Sequence, residues 1–413
     1  MALSDISLRL PIGVDKRFNI IKSIKMIRPS LTFISVSLIL ILSGCSSVPI
    51  INDLSVKGGH ESSYTHQMID GYEEISKELR DEITFILEEI FFYNRVDEVN
   101  LEKVNVFIQN GQIKDYYANQ IQLIALNKKK LQSVPLINAN FDTGKKNKEY
   151  IIESVLRRSN KFNITFDSKG RSISDGLLDS NLLFFCSSYL QDQKDIIEDH
   201  IFKKNNPSEV MVVFTKSYEE YAINLKQNFP GIKFSLINDK NHEEYAQKAL
   251  GIDRSLIRFN NIQKLDQNIQ LENTPRERKD FKKVYFLVDY AIGKSIVPIF
   301  RSYLLNSDFY AANNILLGAI NTKQLSDFNN LYVPTPEYFY KKVAQKQSIK
   351  SIGDEINKGL IEDMLRIEEL NASNASDSFI LLNSGAINYQ SDKCIKRELS
   401  FWEITQENLT SPL

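Results

Sequence analysis

Short apolar runs alternate with longer amphipathic stretches over most of the chain. The runs are rich in β-branched and aromatic residues, and they predict strands at 103–108, 134–139, 162–166, 182–186, 209–214, 232–237, 283–288 and 313–318. The stretches between them carry apolar residues at three- and four-residue spacing, which predicts helices at 114–132, 146–159, 190–204, 217–228, 243–250 and 291–305. This alternation is typical of parallel α/β sheets. Because so many strands exceed one ordinary sheet, we expect two lobes, each a mostly parallel sheet with helices on both faces.

The two ends of this pattern differ from its middle. An amphipathic helix is predicted within residues 71–96, before the first strand, and another at 353–371. Two extended segments close the chain, at 379–389 and 394–404. Terminal strands of an α/β chain often complete an earlier lobe, so we expect these segments to join a sheet that is already formed.

The N-terminal region has the pattern of an export signal. An apolar run at 31–42 follows a basic flank. It is too short for a membrane-spanning helix, which needs about 20 residues, and it fits the core of a signal peptide. We assign residues 1–44 of the sequence to this signal. Within them we expect translation to start at Met26, because a basic residue, Arg28, then follows the start closely.

The apolar run ends in Leu42-Ser43-Gly44-Cys45, which resembles the lipobox of bacterial lipoproteins. The two small residues give a peptidase access to the backbone, and the thiol of Cys45 can take a diacylglyceryl group. We therefore predict lipid on Cys45, followed by a polar tether that ends near residue 70. Ser46, rather than Asp, favours the outer membrane, with the protein facing the periplasm. The alternative is a transmembrane anchor with an incidental cysteine.

Charge and metal-ligand spacing exclude several functions. The chain has 51 Lys and Arg residues against 52 Asp and Glu residues, which gives no electrostatic case for binding nucleic acid. Its four histidines are scattered, and no H-E-x-x-H or C-x-x-C motif occurs, so we expect neither a metal nor a cofactor. Cys186 and Cys394 either pair in an oxidising compartment or stay as two buried thiols. The sequence leaves this choice open.

The sequence lacks a catalytic constellation. It has no G-x-S-x-G motif for an activated serine. Asp142-Thr143-Gly144 matches the aspartic-protease triplet, but such proteases need two carboxylates that share a proton, and no second triplet occurs. We read this segment as a turn at a strand end and expect no enzymatic activity.

Polar side chains follow the predicted strands, which is where two-lobe α/β proteins bind small molecules. The candidates for lining such a cleft are Asn110, Asp142, Thr143, Ser187, Ser188, Thr215, Lys216, Asp289 and Tyr290. The same residue types favour loops and helix N-caps, so a purely structural role for them stays open.

Several motifs follow one another in a distinctive order between about residues 180 and 405. They lie at 181–185, 192–196, 210–213, 249–253, 275–280, 284–288, 295–298, 384–387 and 396–401. This order resembles the penicillin-binding protein activator family (LpoA/LppC-type lipoproteins). The resemblance implies a two-lobe type I periplasmic binding-protein-like fold. Its expected parts are a helix at 71–100, a first lobe from 101–186 plus about 335–375, and a second lobe from 187–334 plus about 376–413.

The resemblance also implies a function. The protein would be a non-catalytic lipoprotein that binds a bifunctional peptidoglycan synthase, a class A penicillin-binding protein, and stimulates it in cell-wall synthesis. Arg276, Arg278 and Lys279 form a basic cluster that either docks this partner or belongs to a solvated loop. The alternative function is a periplasmic solute-binding lipoprotein for an amino acid or a related small molecule.

Overall fold

The computed structural model describes residues 63–404, except 134–135, 158–160, 174–175, 180–181, 183, 239, 266–279, 337–350 and 392, together with the backbone of 409–410. The predicted signal peptide, Cys45 and the basic candidates Arg276, Arg278 and Lys279 lie outside the described residues. Within the described ranges, no helix has the length and apolar character needed to cross a membrane.

Four helices form a layer at the N-terminal end of the described chain. They are α1 (Ser63–Met68), α2 (Lys77–Phe91), α3 (Glu98–Gln109) and α4 (Asp115–Ser133). α2 has the expected amphipathic pattern, since Ile83, Leu87 and Ile90 on one side are fully buried. These side chains share an apolar cluster with Phe379 and Leu381, which belong to a C-terminal hairpin.

The predicted strand at 103–108 is wrong, because this segment lies inside the helix α3. Alternating Val and Ile residues suggested a strand, but Asp97 caps the helix by accepting a hydrogen bond from the Asn100 backbone N–H at 2.8 Å. Val104 and Phe107, three residues apart, then bury the same helical face.

A three-stranded parallel sheet follows this layer. Its elements are β1 (Ile137–Thr143), α5 (Lys145–Arg157), β2 (Phe162–Phe166) and β3 (Arg171–Ile173), and its strand order is β2-β1-β3. The predicted strand at 162–166 is confirmed, and the predicted helix at 146–159 corresponds to α5. We call this the first sheet.

The middle of the chain alternates between strand and helix as predicted. Its elements are α6 (Tyr189–Ile201), β4 (Val210–Phe214), α7 (Glu219–Asn228), β5 (Lys233–Leu236), α8 (His242–Leu250), α9 (Ile252–Leu265), β6 (Lys283–Leu287), α10 (Tyr290–Tyr303), β7 (Asp308–Ala311) and β8 (Leu331–Thr335). The predicted strand at 313–318 is wrong. A 3₁₀ helix occupies Asn313–Leu316, and the strand β7 ends before it.

The C-terminal elements belong to two different sheets. They are α11 (Ile352–Ala372), β9 (Ser378–Leu382), β10 (Gly385–Tyr389), β11 (Arg397–Glu398), β12 (Ser400–Ile404) and β13 (Leu409–Thr410). β9, β10 and β11 form an antiparallel third sheet, whereas β12 and β13 extend the seven-stranded second sheet, β13-β12-β8-β7-β6-β4-β5. The prediction that the terminal segments join an earlier sheet is confirmed for β12, within 394–404. It is wrong for 379–389, because β9 and β10 pair with each other as a hairpin and form a new sheet with β11.

The second sheet is buried on both faces. Met211, Val213 and Val284 point into one apolar cluster, whereas Val212 and Tyr285 point into another on the opposite face. This is why the strands are continuously apolar rather than alternating. The α/β fold class with parallel sheets is therefore confirmed.

The segment before α6 forms no regular strand, so the strand predicted at 182–186 is wrong among its described residues. Only Phe185 pairs, in an isolated parallel bridge with Ile395. The bridge brings Cys186 beside Cys394, and the two form a disulfide with a Cα–Cα distance of 4.9 Å. This decides between the two alternatives that the sequence left open.

A polar cluster joins α5 to α11. Tyr150 Oη donates to Asp354 Oδ1 at 2.5 Å, and Lys146 Nζ lies 2.6 Å from the same oxygen. Burial by itself would raise the pKa of the Asp354 carboxyl. The hydrogen bonds from Lys146, Tyr150 and Ser351 outweigh burial and hold this pKa below its usual value.

The lowered pKa predicts a pH-dependent stability. Because the folded pKa of Asp354 is below the unfolded value of about 3.9, its contribution is complete above about pH 4. The contribution is lost as the pH falls through the folded pKa. We expect Asp354→Asn to destabilise the protein above that pH and to have less effect in more acidic solution, as measured by urea unfolding at several pH values. An equal loss at every pH would contradict this.

Candidate functional site

The carboxyl ends of three neighbouring parallel strands lie side by side in the second sheet. β4 pairs with β6, and β6 pairs with β7, all in parallel. The chain leaves these strands at Thr215, Val288 and Ala312. The loops at the carboxyl ends of parallel strands converge, and open α/β sheets bind their ligands there.

Three side chains from these loops are joined by hydrogen bonds. Tyr218 Oη donates to Asp289 Oδ1 at 2.8 Å. Asn314 Nδ2 donates to Tyr218 Oη at 2.6 Å and to the Val288 carbonyl at 3.1 Å. Burial raises the pKa of Tyr218, and the neighbouring Asp289 raises it further. The phenol therefore stays protonated at neutral pH, and it fixes the orientation of the Asp289 carboxylate.

A cavity of about 750 Å³ opens beside this trio, in the size range of ligand-binding pockets. Helices α6 and α7 supply its walls, and Leu178 and Asp179 enter it from the segment before α6. The uncharged polar residues that line it are Ser217, Tyr218, Tyr221, Asn224, Gln227 and Asn314.

The cavity contains charges of both signs. Asp179, Glu220 and Asp289 contribute carboxylates, and Lys194 contributes an ammonium group. Lys194 Nζ lies 4.6 Å from the centre of the Tyr221 ring, which stabilises the cation. This arrangement can bind an ammonium group and a carboxylate of one ligand at the same time.

The structure brings only some of the predicted cleft residues to this cavity. Asp289 lines it. Thr215 lies directly behind, and its Oγ1 is 2.8 Å from the Oγ of Ser217, which does line the cavity. Lys216 is exposed in the following 3₁₀ turn, and Tyr290 turns away to donate a hydrogen bond to Gln324 Oε1 at 3.1 Å.

The other predicted cleft residues lie elsewhere. Asp142 and Thr143 end β1 in the first sheet. Asn110 ends the helix α3, so the strand-end position on which its selection rested does not exist. Ser188 is the N-cap of α6 and accepts a hydrogen bond from the Gln191 backbone N–H at 3.1 Å. Ser187 donates to Asp192.

Ser187 and Asp192 belong to a buried polar junction beside the disulfide. Arg397 Nη1 lies 2.6 Å from Asp192 Oδ2 and donates to the Ser187 carbonyl at 3.2 Å. Its Nε donates to Ser384 Oγ at 3.1 Å, and its guanidinium stacks on Phe185 at 3.7 Å. Burial lowers the pKa of Arg397, which Asp192 partly offsets. The junction thus connects the start of α6 to the C-terminal segment.

Sequence reasoning missed Tyr218, Asn314 and Lys194 at the cavity. Tyr218 lies four residues beyond the end of β4, past the positions that directly follow the strand. Asn314 was placed inside a predicted strand at 313–318. Lys194 lies on α6, and a solvated helix face explains a lysine equally well at the sequence level.

No protein-family model and no curated protein sequence matches this chain. Several solved structures are similar to this chain. A putative branched-chain amino acid ABC transporter from Rhodospirillum rubrum is 7% identical with a TM-score of 0.39, over 66% of this chain and 99% of that one. LpoA from Haemophilus influenzae is 12% identical with a TM-score of 0.33, over 83% and 70% of the two chains. LivJ from Streptococcus pneumoniae, in complex with isoleucine, is 10% identical with a TM-score of 0.37, over 67% and 98%.

Proposed function

We propose that this protein is a non-catalytic, lipid-anchored periplasmic protein that binds an amino acid or a related small molecule. The observation that supports this most is the cavity at the carboxyl ends of β4, β6 and β7, with the oriented carboxylate of Asp289 at its edge. In this proposal lipid on Cys45 holds the chain at the outer membrane.

The charges of the cavity indicate the class of ligand. Three carboxylates face one ammonium group there. A ligand with at least one ammonium group and one carboxylate therefore finds a partner for each charge, and a second ammonium group would find another carboxylate. Tyr218 already holds the Asp289 carboxylate, so little ordering of this side chain remains to be done when the ligand enters.

The test is ligand-dependent stabilisation of the full-length chain in detergent. A panel of neutral, acidic and basic amino acids is added, and the melting temperature is followed. An amino acid at 100 times its dissociation constant would add about 2.7 kcal/mol of stability. We expect stabilisation by at least one member of the panel, and Asp289→Asn and Tyr218→Phe should weaken its binding about tenfold, as measured by calorimetry.

Asp308→Asn is the matched control, because Asp308 begins β7 at the opposite end of the second sheet. It removes the same charge and should leave the ligand affinity unchanged. Stabilisation that survives Asp289→Asn would place the ligand elsewhere. No stabilisation by any amino acid of the panel would contradict the proposed function.

A second candidate is the stimulation of a class A penicillin-binding protein by direct contact. It is favoured by the disulfide and the Arg397–Asp192 pair, which hold the start of α6 and the C-terminal segment in one arrangement, as a constant docking surface requires. The full-length protein should then capture a purified synthase and raise its activity. Changing Arg276, Arg278 and Lys279 together to Gln should weaken capture if they dock it, and no capture by the wild type would exclude this candidate.

A further inference from the structure

A second cavity, of about 700 Å³, lies beside β5, the last strand at one side of the second sheet. It shares no lining residue with the cavity beside Asp289, which we call the amino-acid cavity. It is bounded by the edge strand β5, the end of α8 and the first turns of α9. Gly251 separates the two helices in a left-handed conformation with φ +70°, which glycine adopts without strain. The chain can therefore end α8 and begin α9 at once, so that both helices border the same space.

All the charged side chains around this cavity are basic. They are Lys233, Lys248, Arg254 and Arg258. Arg254 and Arg258 lie four residues apart, and hence on one face of α9. Neither guanidinium contacts a partner among the described residues.

Both lysines of the cavity already have polar partners. Lys248 Nζ lies 2.8 Å from Glu244 Oε1 on the exposed side of α8. Lys233 Nζ donates to the Ala249 carbonyl at 2.5 Å, which holds it at the cavity. Glu244 neutralises one of the four cations, and neither it nor Asp253 of the first turn of α9 lines the cavity.

Hydroxyl groups complete the lining. Ser235, Tyr245 and Ser255 border the cavity. Tyr245 Oη lies within donating distance of two acceptors of Ser235, the carbonyl at 3.0 Å and Oγ at 2.8 Å, which holds both hydroxyl groups at the cavity.

We propose that this basic cavity binds a phosphate group. Two arginine forks match the oxygens of a phosphate, and the excess of cations over carboxylates around the cavity suits an anion. The phosphate comes either as a free ion or sugar-phosphate-like monoester, or as the phosphodiester of a lipid headgroup. Because Arg254 and Arg258 supply the forks, the site is independent of the amino-acid cavity and of the function proposed for it.

The experiment measures the melting temperature and calorimetric binding of the full-length protein in detergent at constant ionic strength. The probes are inorganic phosphate, glycerol 3-phosphate and glycerophosphoglycerol, a deacylated headgroup, with chloride as the reference. We expect at least one probe to stabilise the wild type. The double variant Arg254→Gln/Arg258→Gln should bind that probe at least about tenfold more weakly, since both forks are lost.

Lys226→Gln/Lys264→Gln is the matched control. It removes the same charge from exposed helix positions that do not line the cavity, and it should bind like the wild type. A response to phosphate or glycerol 3-phosphate assigns a monoester or free ion, and a response to glycerophosphoglycerol alone assigns a headgroup. Equal binding by the arginine variant and the wild type, or no binding of any probe by the wild type, would overturn the proposal.

Discussion

The Cys394→Ser protein should be about 5 kcal/mol less stable to unfolding than the wild type. The disulfide with Cys186 joins residues 208 positions apart. In the unfolded chain it therefore removes a large loop-closure entropy, which grows with the logarithm of the loop length. The measurement is urea unfolding of the oxidised wild type and of the variant, followed through the fluorescence of Trp402, which is buried in β12.

Two controls separate the crosslink from the side chains. Cys186→Ser, and the wild type kept in a reducing agent, should lose the same stability as Cys394→Ser, because each removes the same covalent bond. The variant with both cysteines replaced should be no worse than either single variant. A loss below about 1 kcal/mol would mean that the unfolded chain gains little freedom when the bond is absent.

The Arg397→Met protein should lose about 3–5 kcal/mol of stability, because it leaves the carboxylate of Asp192 without its partner. The Arg397 side chain is 0% exposed and that of Asp192 is 11% exposed, so water cannot replace the missing guanidinium. Urea unfolding gives the loss directly. Arg397→Lys is a second comparison. The lysine keeps the positive charge, but its single ammonium group cannot contact Asp192, Ser187 and Ser384 together.

A double variant tests the physical cause. Replacing Asp192 by Leu in the Arg397→Met protein removes the unpaired charge, so part of the lost stability should return. Two losses that simply add would show that the pair is not coupled. All of these variants are measured with the disulfide intact. The Arg397–Asp192 pair lies beside it, so a broken disulfide would add its own loss of stability to the result.

The strand-and-helix alternation was predictable where both elements bury continuous apolar faces. β2, β4 and β6 lie within a residue of their predicted positions. In β4 and β6 the runs of β-branched and aromatic residues are almost entirely buried. The prediction failed at 103–108, where an Asp97 cap and a helical packing face outweighed β propensity. It failed again at 313–318, where Asn313 donates to Tyr189 Oη and Thr335 Oγ1, contacts that exist only after folding.

The position of the candidate site was predictable from the sequence, but most of the residues that form it were not. Asp289 follows an obvious strand, and its position at a carboxyl edge follows from the parallel sheet. Tyr218 reaches this carboxylate from a second loop, and Asn314 from a third loop donates to Tyr218 Oη. Nothing in the local sequence of either residue indicates that they meet. Lys194 and Asp179 join the cavity only because α6 packs beside α7 over the second sheet.

The sequence by itself determined the α/β class with parallel sheets, because the period of apolar residues is a local property of each segment. It also predicted an export signal that ends before Cys45. Its balanced charge gave no electrostatic reason to expect nucleic-acid binding. The tertiary structure alone decided the disulfide between Cys186 and Cys394, the buried Arg397–Asp192 pair, and the two cavities with their opposite charge. Each of these joins residues far apart in the chain, and pairing over such distances depends on how the sheets and helices pack, which no local pattern encodes.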